Sequence, residues 1–372
     1  MQTDVHTLVV KVGTSLLTGP KGFDGRVMES VVKEIATLKK TREINVLIVS
    51  SGAVGCGMTL LGLTQRPKSI PLKQATAAVG QSRLMHFYET LFQTHGQGLQ
   101  SAQVLLTTPD LDDRQRYLNI RNTVKTLFEL KTVVPILNEN DSVSTAELRF
   151  GDNDTLAAKV AAKIDADLLI ILSDVDGLYD KNPARHKNAK LVEVVDHVTD
   201  EIEALAEGAA GESSVGGMHT KLSAAKIAGA AGLPMVITNG RRSNVIHDVL
   251  AGTARCTRFG ANHSGISQRK RWIAFGRHVR GVLDVDDGAR SALLTKGRSL
   301  LPAGVTAVSG SFEVGDSVRV RDTSGHEIAC GLVNYSSGDI ARIKGLKSAQ
   351  IKAILGHKDF DEVIHRDNLV II

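Results

Sequence analysis

Aromatic side chains make up only 4% of this 372-residue chain, so whatever core it builds is aliphatic. Cysteine is also scarce. Cys56, Cys256 and Cys330 are odd in number and lie at no metal-ligand spacing, which argues against a disulfide framework or a zinc site and for reduced thiols in a cytoplasmic protein. No apolar run approaches the ~20 residues that a membrane-crossing helix needs. The chain reaches its first apolar run, Thr7–Val10, without the basic and apolar segments of a secretory leader, so a soluble, unexported protein is expected. There is no internal repeat and no low-complexity tract. No Gly-x-x-x-x-Gly-Lys-Ser/Thr loop is present, which argues against a P-loop NTPase, and Asp174-Val175-Asp176-Gly177 lacks the remaining ligands of a calcium loop.

What the chain does have is glycine, 35 residues of it, and 42% hydrophobic residues, enough at this length for two cores. Short β-rich runs at Thr7–Val12, Val46–Ser50, Leu99–Leu106, Val133–Leu137, Asp167–Leu172 and Pro234–Thr238 alternate with amphipathic stretches at Arg26–Lys39, Leu72–Gln93, Asp113–Leu130, Asp154–Lys163 and Thr220–Ala231. That alternation predicts an α/β fold: an open, mostly parallel sheet sandwiched by helices. The loops leaving the strand C-termini then share one edge, where ligands bind in such sheets. After about Phe259 the pattern changes to short alternating runs between Gly-containing turns, which predicts a small β-rich domain. The expected division is residues 1–259, a basic connector 260–279 and a module 280–372. The segment Gly208–Gly217, rich in Ala and Gly, is expected to be an active-site loop.

The formal net charge is +5, which invites a nucleic-acid reading, so its location matters. Arg269, Lys270, Arg271 and Arg277 crowd the connector, with Arg280 just after it, whereas Gly281–Ile372 holds 11 Lys+Arg against 12 Asp+Glu, a net of −1. At the level of composition the C-terminal module therefore lacks the basic face that binding a phosphate backbone requires.

Chemistry gathers on the loops. Asn138-Glu139-Asn140-Asp141 and Gly151-Asp152-Asn153-Asp154 are two clusters of short amides and carboxylates, suited to gripping a small charged molecule. The same residues also satisfy turn geometry. Lys11 ends the first strand just before Val12-Gly13-Thr14-Ser15, where small residues let a phosphate approach the backbone; alternatively it extends into solvent. Lys221 follows Gly216-Gly217-Met218-His219-Thr220 at the expected start of a helix, whose free N–H groups and dipole favour phosphate. Two lysines from separate loops could neutralise charge on a moving phosphoryl group, and Asp154 could hold both, or cap the helix beginning near Thr155. Ser173 and Asp174, after a strongly apolar strand, would line a nucleotide site.

Taken together, Val10–Ser15, Ser50–Val54, Ala78-Val79-Gly80-Gln81, Asn138–Asp141, Gly151–Asp154, Ser173-Asp174 with Gly177-Leu178-Tyr179, and Gly216–Lys221 resemble the glutamate 5-kinases of the amino-acid kinase family. The stretch from Gly281 onward resembles the small PUA barrel appended to many bacterial members. The resemblance implies transfer of the γ-phosphoryl group of ATP, accompanied by Mg²⁺, to the side-chain carboxylate of L-glutamate, the first step toward proline. It implies Lys11, Lys221 and Asp154 as catalytic residues, and Ser51, Asp141, Asn153, Asp152 and Asn138 as glutamate-binding residues. ATP would be contacted by Lys11, Gly13, Ser173, Asp174, Val215, Gly216, Gly217, Met218, His219, Thr220 and Lys221. No protein ligand to the metal is assigned. Proline as feedback inhibitor, a homo-oligomer (dimer or tetramer) and transient contact with glutamyl phosphate reductase are further implications. The chain departs from the family pattern at Ser214-Val215, where Gly-Thr is common, and at Asp180–Pro183.

An attacking carboxylate is already ionised at neutral pH, so no general base is needed and no His-based constellation is expected. Two alternatives come from other classes. An RNA-binding protein would use the PUA-like module, against the charge balance above. Another amino-acid kinase would act on aspartate, acetylglutamate, carbamate or UMP, but Asp141 suits a free α-ammonium, which an acetylated amine does not offer.

Overall fold

The computed structural model describes residues 5–19, 22–143, 153–183, 185–209, 217–260 and 279–371. Asp152, Val215 and Gly216 lie outside these, as does most of Gly208–Gly217 and of the basic connector. The chain divides into two compact units, Met1–Asn262 and His263–Ile372.

The first unit is built on an eight-stranded sheet. Its strands are β1 (Thr7–Val12), β4 (Asn45–Ser50), β5 (Gln100–Leu106), β6 (Val133–Glu139), β7 (Leu168–Ser173), β8 (Val194–Val195), β9 (Met235–Asn239) and β10 (Cys256–Phe259), with β2 (Thr18–Gly19) and β3 (Gly22–Phe23) forming a separate small hairpin. The order is β5-β6-β4-β1-β7-β9-β10-β8, parallel throughout except between β9 and β10. From β1 the sheet grows toward β4 on one side and β7 on the other, which makes the C-terminal end of β1 a topological switch point.

Helices cover both faces: α1 (Thr14–Leu17), α2 (Arg26–Arg42), α3 (Ala53–Leu60), α4 (Ile70–His95), α5 (Thr108–Asp112), α6 (Arg114–Glu129), α7 (Asn153–Lys163), α8 (Asp200–Ala209), α9 (Met218–Ala230) and α10 (Val245–Ala251). The two-residue period of β1 sends Leu8, Val10 and Val12 into one core with α2, α4 and α10, and Val9 into the other with α6, α7 and α9. Lys11 shares the parity of Val9, so it is aimed at the face on which α7 and α9 pack. This parity sets up the site.

The expected strands and helices are present with shifted ends. Helix α2 runs past Lys39 because Lys40 and Arg42 complement its C-terminal dipole, and it stops at Glu43, which takes a left-handed φ of 52°. Strand β7 begins after Asp167, whose carboxylate accepts hydrogen bonds from the backbone N–H of His6 and Thr7 and so ties the start of β1 instead. Helix α3 was not expected, since Gly55 and Gly57 weaken its helical signal. Its glycines are spatial requirements. A Cβ at Gly57 would lie 1.9 Å from the Thr76 carbonyl oxygen, and one at Gly80 would lie 1.8 Å from that of Ala53, so α3 and α4 cross at backbone contact.

The second unit carries a five-stranded sheet of β11 (Gly281–Val285), β12 (Val305–Gly310), β13 (Ser317–Arg321), β14 (Glu327–Leu332) and β15 (Leu369–Ile371), in the order β12-β11-β13-β14-β15. It is less purely β than expected, because α11 (Asp287–Lys296), α12 (Ser337–Ile343) and α13 (Ile351–Leu355) lie between the strands. Leu283, Val318, Val320, Phe312, Tyr335 and Ile340 centre its core. Among the described residues no helix is long and apolar enough to cross a membrane.

Candidate active site

At the switch point, three side chains from three elements meet. Lys11 leaves β1 toward the α7/α9 face, Asp154 is the second residue of α7, and Lys221 lies in the first turn of α9. The Lys11 Nζ is 2.5 Å from Asp154 Oδ1 and the Lys221 Nζ is 3.1 Å from Oδ2. Thr220 also donates to Oδ2 at 3.0 Å and to the Gly217 carbonyl at 2.8 Å. Lys11 is 2% exposed and Asp154 fully buried, so neither lysine extends into solvent as a surface side chain would. Asn153 and Asp154 are already helical, so the helix does not begin near Thr155, and Asp154 bridges the lysines from within α7. Among the described residues, two cations share the Asp154 carboxylate here, at a strand edge where a phosphate could be received.

Beside it lies a cleft of about 210 Å³, lined by Ser51, Asn138, Asp141 and Asn153 among others. Gly52 makes the turn out of β4 at φ 105°, a conformation glycine adopts without strain, and delivers the N-terminus of α3 to this cleft. The amides form a fixed chain. Asn138 donates to Gln81 Oε1 at 2.7 Å, which orients its own oxygen to accept from Asn153 Nδ2 at 2.9 Å and from the Glu139 N–H at 2.9 Å. Asn153 Nδ2 also faces the Ser50 carbonyl at 2.9 Å and Ser51 Oγ at 3.1 Å. Its donor capacity is thus committed, and a ligand carboxylate could take that N–H only by opening one of these contacts. Asp141 makes no hydrogen bond or ion pair among the described residues. Burial pushes its carboxyl above the ordinary range, against the opposing positive fields of Lys73 and Arg66.

The profile of the Amino acid kinase family matches residues 6–239, and that of the PUA domain residues 281–355. The chain belongs to the amino acid kinase family. Its curated relatives include a glutamate 5-kinase from Caldanaerobacter subterraneus subsp. tengcongensis, 49% identical over 98% of this chain and 97% of that protein. A glutamate 5-kinase from Geobacter sulfurreducens is 47% identical over 99% of this chain and 98% of the relative. Among solved structures, a carbamate kinase from Giardia lamblia bound to AMP-PNP is 19% identical with a TM-score of 0.49, covering 70% of this chain and all of the other.

In this amino acid kinase the residues expected to contact nucleotide are placed as follows. Gly13 precedes α1, and its N–H is already given to the Leu172 carbonyl at 3.2 Å, so approach to the backbone there falls to Thr14 and Ser15. A Cβ at Gly13 would meet that same carbonyl at 3.0 Å. Ser173 is buried at the end of β7 and donates to Asp174 at 3.2 Å, while Asp174 itself is exposed. Gly217 precedes α9 and, having no side chain, supplies no side-chain cap to it; Met218 is half-buried and His219 exposed. Asp152, Val215 and Gly216 fall outside the described residues.

Sequence reading passed over Gln81, Arg66 and Lys73. Gln81 lies in Ala78-Val79-Gly80-Gln81, and its role depends on a contact 57 residues away. Arg66 and Lys73, which flank a proline-containing link into α4, line the same cleft as Asp141, and nothing in their local spacing announces it.

Proposed function

We propose that this kinase transfers the γ-phosphoryl group of ATP to the side-chain carboxylate of L-glutamate, giving L-glutamyl 5-phosphate and ADP, the first step of proline biosynthesis. The observation that carries the reading is the buried Lys11–Asp154–Lys221 cluster beside a cleft lined by an unpartnered carboxylate and oriented amides. The near-full-length likeness to proteins named glutamate 5-kinase supports the choice of acceptor.

In the proposed reaction a γ-carboxylate oxygen of glutamate attacks the terminal phosphorus in line as the bond to the bridging oxygen of ADP breaks. No proton moves, because the attacking group is already ionised. Lys11 and Lys221 meet the charge that spreads over the equatorial oxygens, and Asp154 holds both ammoniums at fixed positions before the reaction, so little reorganisation is needed. The N-terminal dipole of α9 adds to this field. Asp141 pairs with the α-ammonium of glutamate, with Ser51, Asn138, Asn153 and Asp152 around it. Ser173, Asp174, Gly13 and the Val215–Lys221 segment contact ATP. Mg²⁺ fits as an ion carried in on the nucleotide phosphates, since the Asp154 oxygens are occupied by lysines and no three His, Cys, Asp or Glu cluster among the described residues. When bound it would supply charge neutralisation to the nucleotide phosphates.

Residues 1–259 form the catalytic unit in this reading and 280–372 the PUA-like module, in a cytoplasmic homo-oligomer, dimer or tetramer, that proline inhibits and glutamyl phosphate reductase contacts transiently. Trapping the acyl phosphate as a hydroxamate tests the acceptor. Product with glutamate, and little with aspartate or N-acetylglutamate, is expected; turnover of aspartate but not glutamate would overturn the reading. Activity indifferent to millimolar proline would reject the inhibitor, and a monomer by light scattering the oligomer.

A further inference from the structure

We propose that Arg66 and Lys73 together seat the α-carboxylate of the acceptor amino acid and so select acceptors carrying a free carboxylate beside their ammonium. The inference rests on the acceptor reading above and adds a second charged subsite to it. Arg66 lies in the link between α3 and α4, Lys73 in the first turn of α4, and both line the cleft that holds Ser51, Asn138, Asp141 and Asn153.

Charge balance makes the first argument. Glutamate brings two carboxylates and one ammonium. One carboxylate has to reach the phosphorus near Lys11 and Lys221, which leaves an ammonium and a carboxylate to be matched inside the cleft. Asp141 answers the ammonium. Among the described residues lining the cleft, the cations are Arg66 and Lys73. The positive fields of both reach Asp141, yet neither forms an ion pair with it or with any other carboxylate among the described residues. Arg66, Lys73 and the Asp141 carboxylate therefore face a common space in which none of the three pairs directly with another, with Glu139 also on the lining, an arrangement complementary to a zwitterionic head group.

The second argument is local. A cation is unfavourable at a helix N-terminus, where the dipole is positive, and the first turn of α4 contains no acidic residue to offset Lys73. Lys73 is half-buried, so it does not shed this cost into water. A residue held against its local preference at the rim of a site is placed there for what the site binds. The backbone contact of α3 with α4 at Gly57 and Gly80 then fixes Lys73 relative to Ser51 and Gly52, which lead into α3.

Hydroxamate kinetics with the full-length protein test this, using L-glutamate and its α-amide as acceptors. Wild type should prefer glutamate strongly. In Arg66→Gln, Lys73→Gln and the double variant, KM for glutamate should rise, by roughly 10- to 100-fold in the double, with kcat and the KM for ATP nearly unchanged. The preference over the α-amide should collapse toward unity, while Arg66→Lys and Lys73→Arg, which keep the charge, should retain most of it. A double variant that keeps both its glutamate KM and its discrimination would overturn the proposal, as would a rise confined to the KM for ATP. Thermal melts identify any variant that misfolds, and the charge-conserving pair still gives an answer in that event. Failure of wild type to phosphorylate glutamate at all would instead sink the acceptor reading, and this proposal with it.

Discussion

At the residue scale, Asp154 holds two ammonium groups in a place where none of the three could be buried alone. Replacing it with Ala would leave two lysines buried together and should cost about 3–5 kcal/mol in denaturant unfolding, the usual loss when one partner of a buried ionic group is removed. Asp154→Asn keeps the size and removes the charge, so it should fold and lose kcat by roughly 10²- to 10³-fold, in the range of losing one preorganised electrostatic contact. Asp141 presents the opposite balance. Its carboxyl sits above the ordinary range, mainly through burial, so the folded protein binds that proton more tightly than the unfolded chain does. Its favourable contribution exists at acid pH and is lost as pH rises through the elevated value, leaving an ionised, unpartnered group as a cost at neutrality. Asp141→Asn should therefore raise Tm by a few degrees at neutral pH, with the gain shrinking on acidification, and should raise the KM for glutamate. An unchanged Tm across the pH range would contradict this. Lys11, Lys221 and Asp154 were legible in the sequence because each sits at the end or start of a strongly patterned element. Gln81, Arg66 and Lys73 were not, because their importance lies in long-range proximity. The committed N–H of Asn153 was also hidden, since a sequence names a donor and not what already accepts from it.

At the scale of elements, the parity of β1 does most of the work. One strand with a two-residue period sends apolar side chains to both faces and Lys11 to the face of α7 and α9. That much follows from the sequence once Thr7–Val12 is taken as a strand. Helix α3 does not, because its glycines read as breakers until the partner helix is seen against them. The crossing of α3 and α4 has a direct test. With a Cβ 1.8 Å from the Ala53 carbonyl oxygen, Gly80→Ala forces the helices apart and should cost about 3 kcal/mol or more by denaturant unfolding. Because α4 carries Lys73 into the acceptor cleft and Gln81 to Asn138 on its lining, the KM for glutamate should rise more than that for ATP. Equal effects on both substrates would point away from α4 as the support of the acceptor side. The antiparallel β10 and two of the helices of the second unit escaped the sequence reading because they are short: four residues in β10, and seven and five in α12 and α13.

At the scale of the whole molecule, two units with separate cores explain how one chain supports both an α/β kinase sheet and a small mixed module. The three thiols are divided between them and all are buried, with Cys56 pushed up to about 12 by its apolar surroundings. Native protein should accordingly resist alkylation near neutral pH, and denatured protein should react at three positions. Fast labelling of native Cys56 would contradict the packing of α3. Net charge places a comparable limit on the second unit: at −1 over Gly281–Ile372, a salt-titrated gel shift should show no tight RNA binding. The alternation of strands and helices announced the overall architecture, whereas the meeting of the acceptor cleft with the lysine cluster required coordinates. That meeting is tested most directly by hydroxamate kinetics of Lys11→Met, Lys221→Met and the double variant. If both ammoniums act on one phosphoryl group, each single change lowers kcat by roughly 10²-fold or more with little effect on the KM for glutamate, and the double loses less than the product of the two. A single variant that keeps near wild-type kcat would contradict the convergence of Lys11 and Lys221 on the transferring phosphorus.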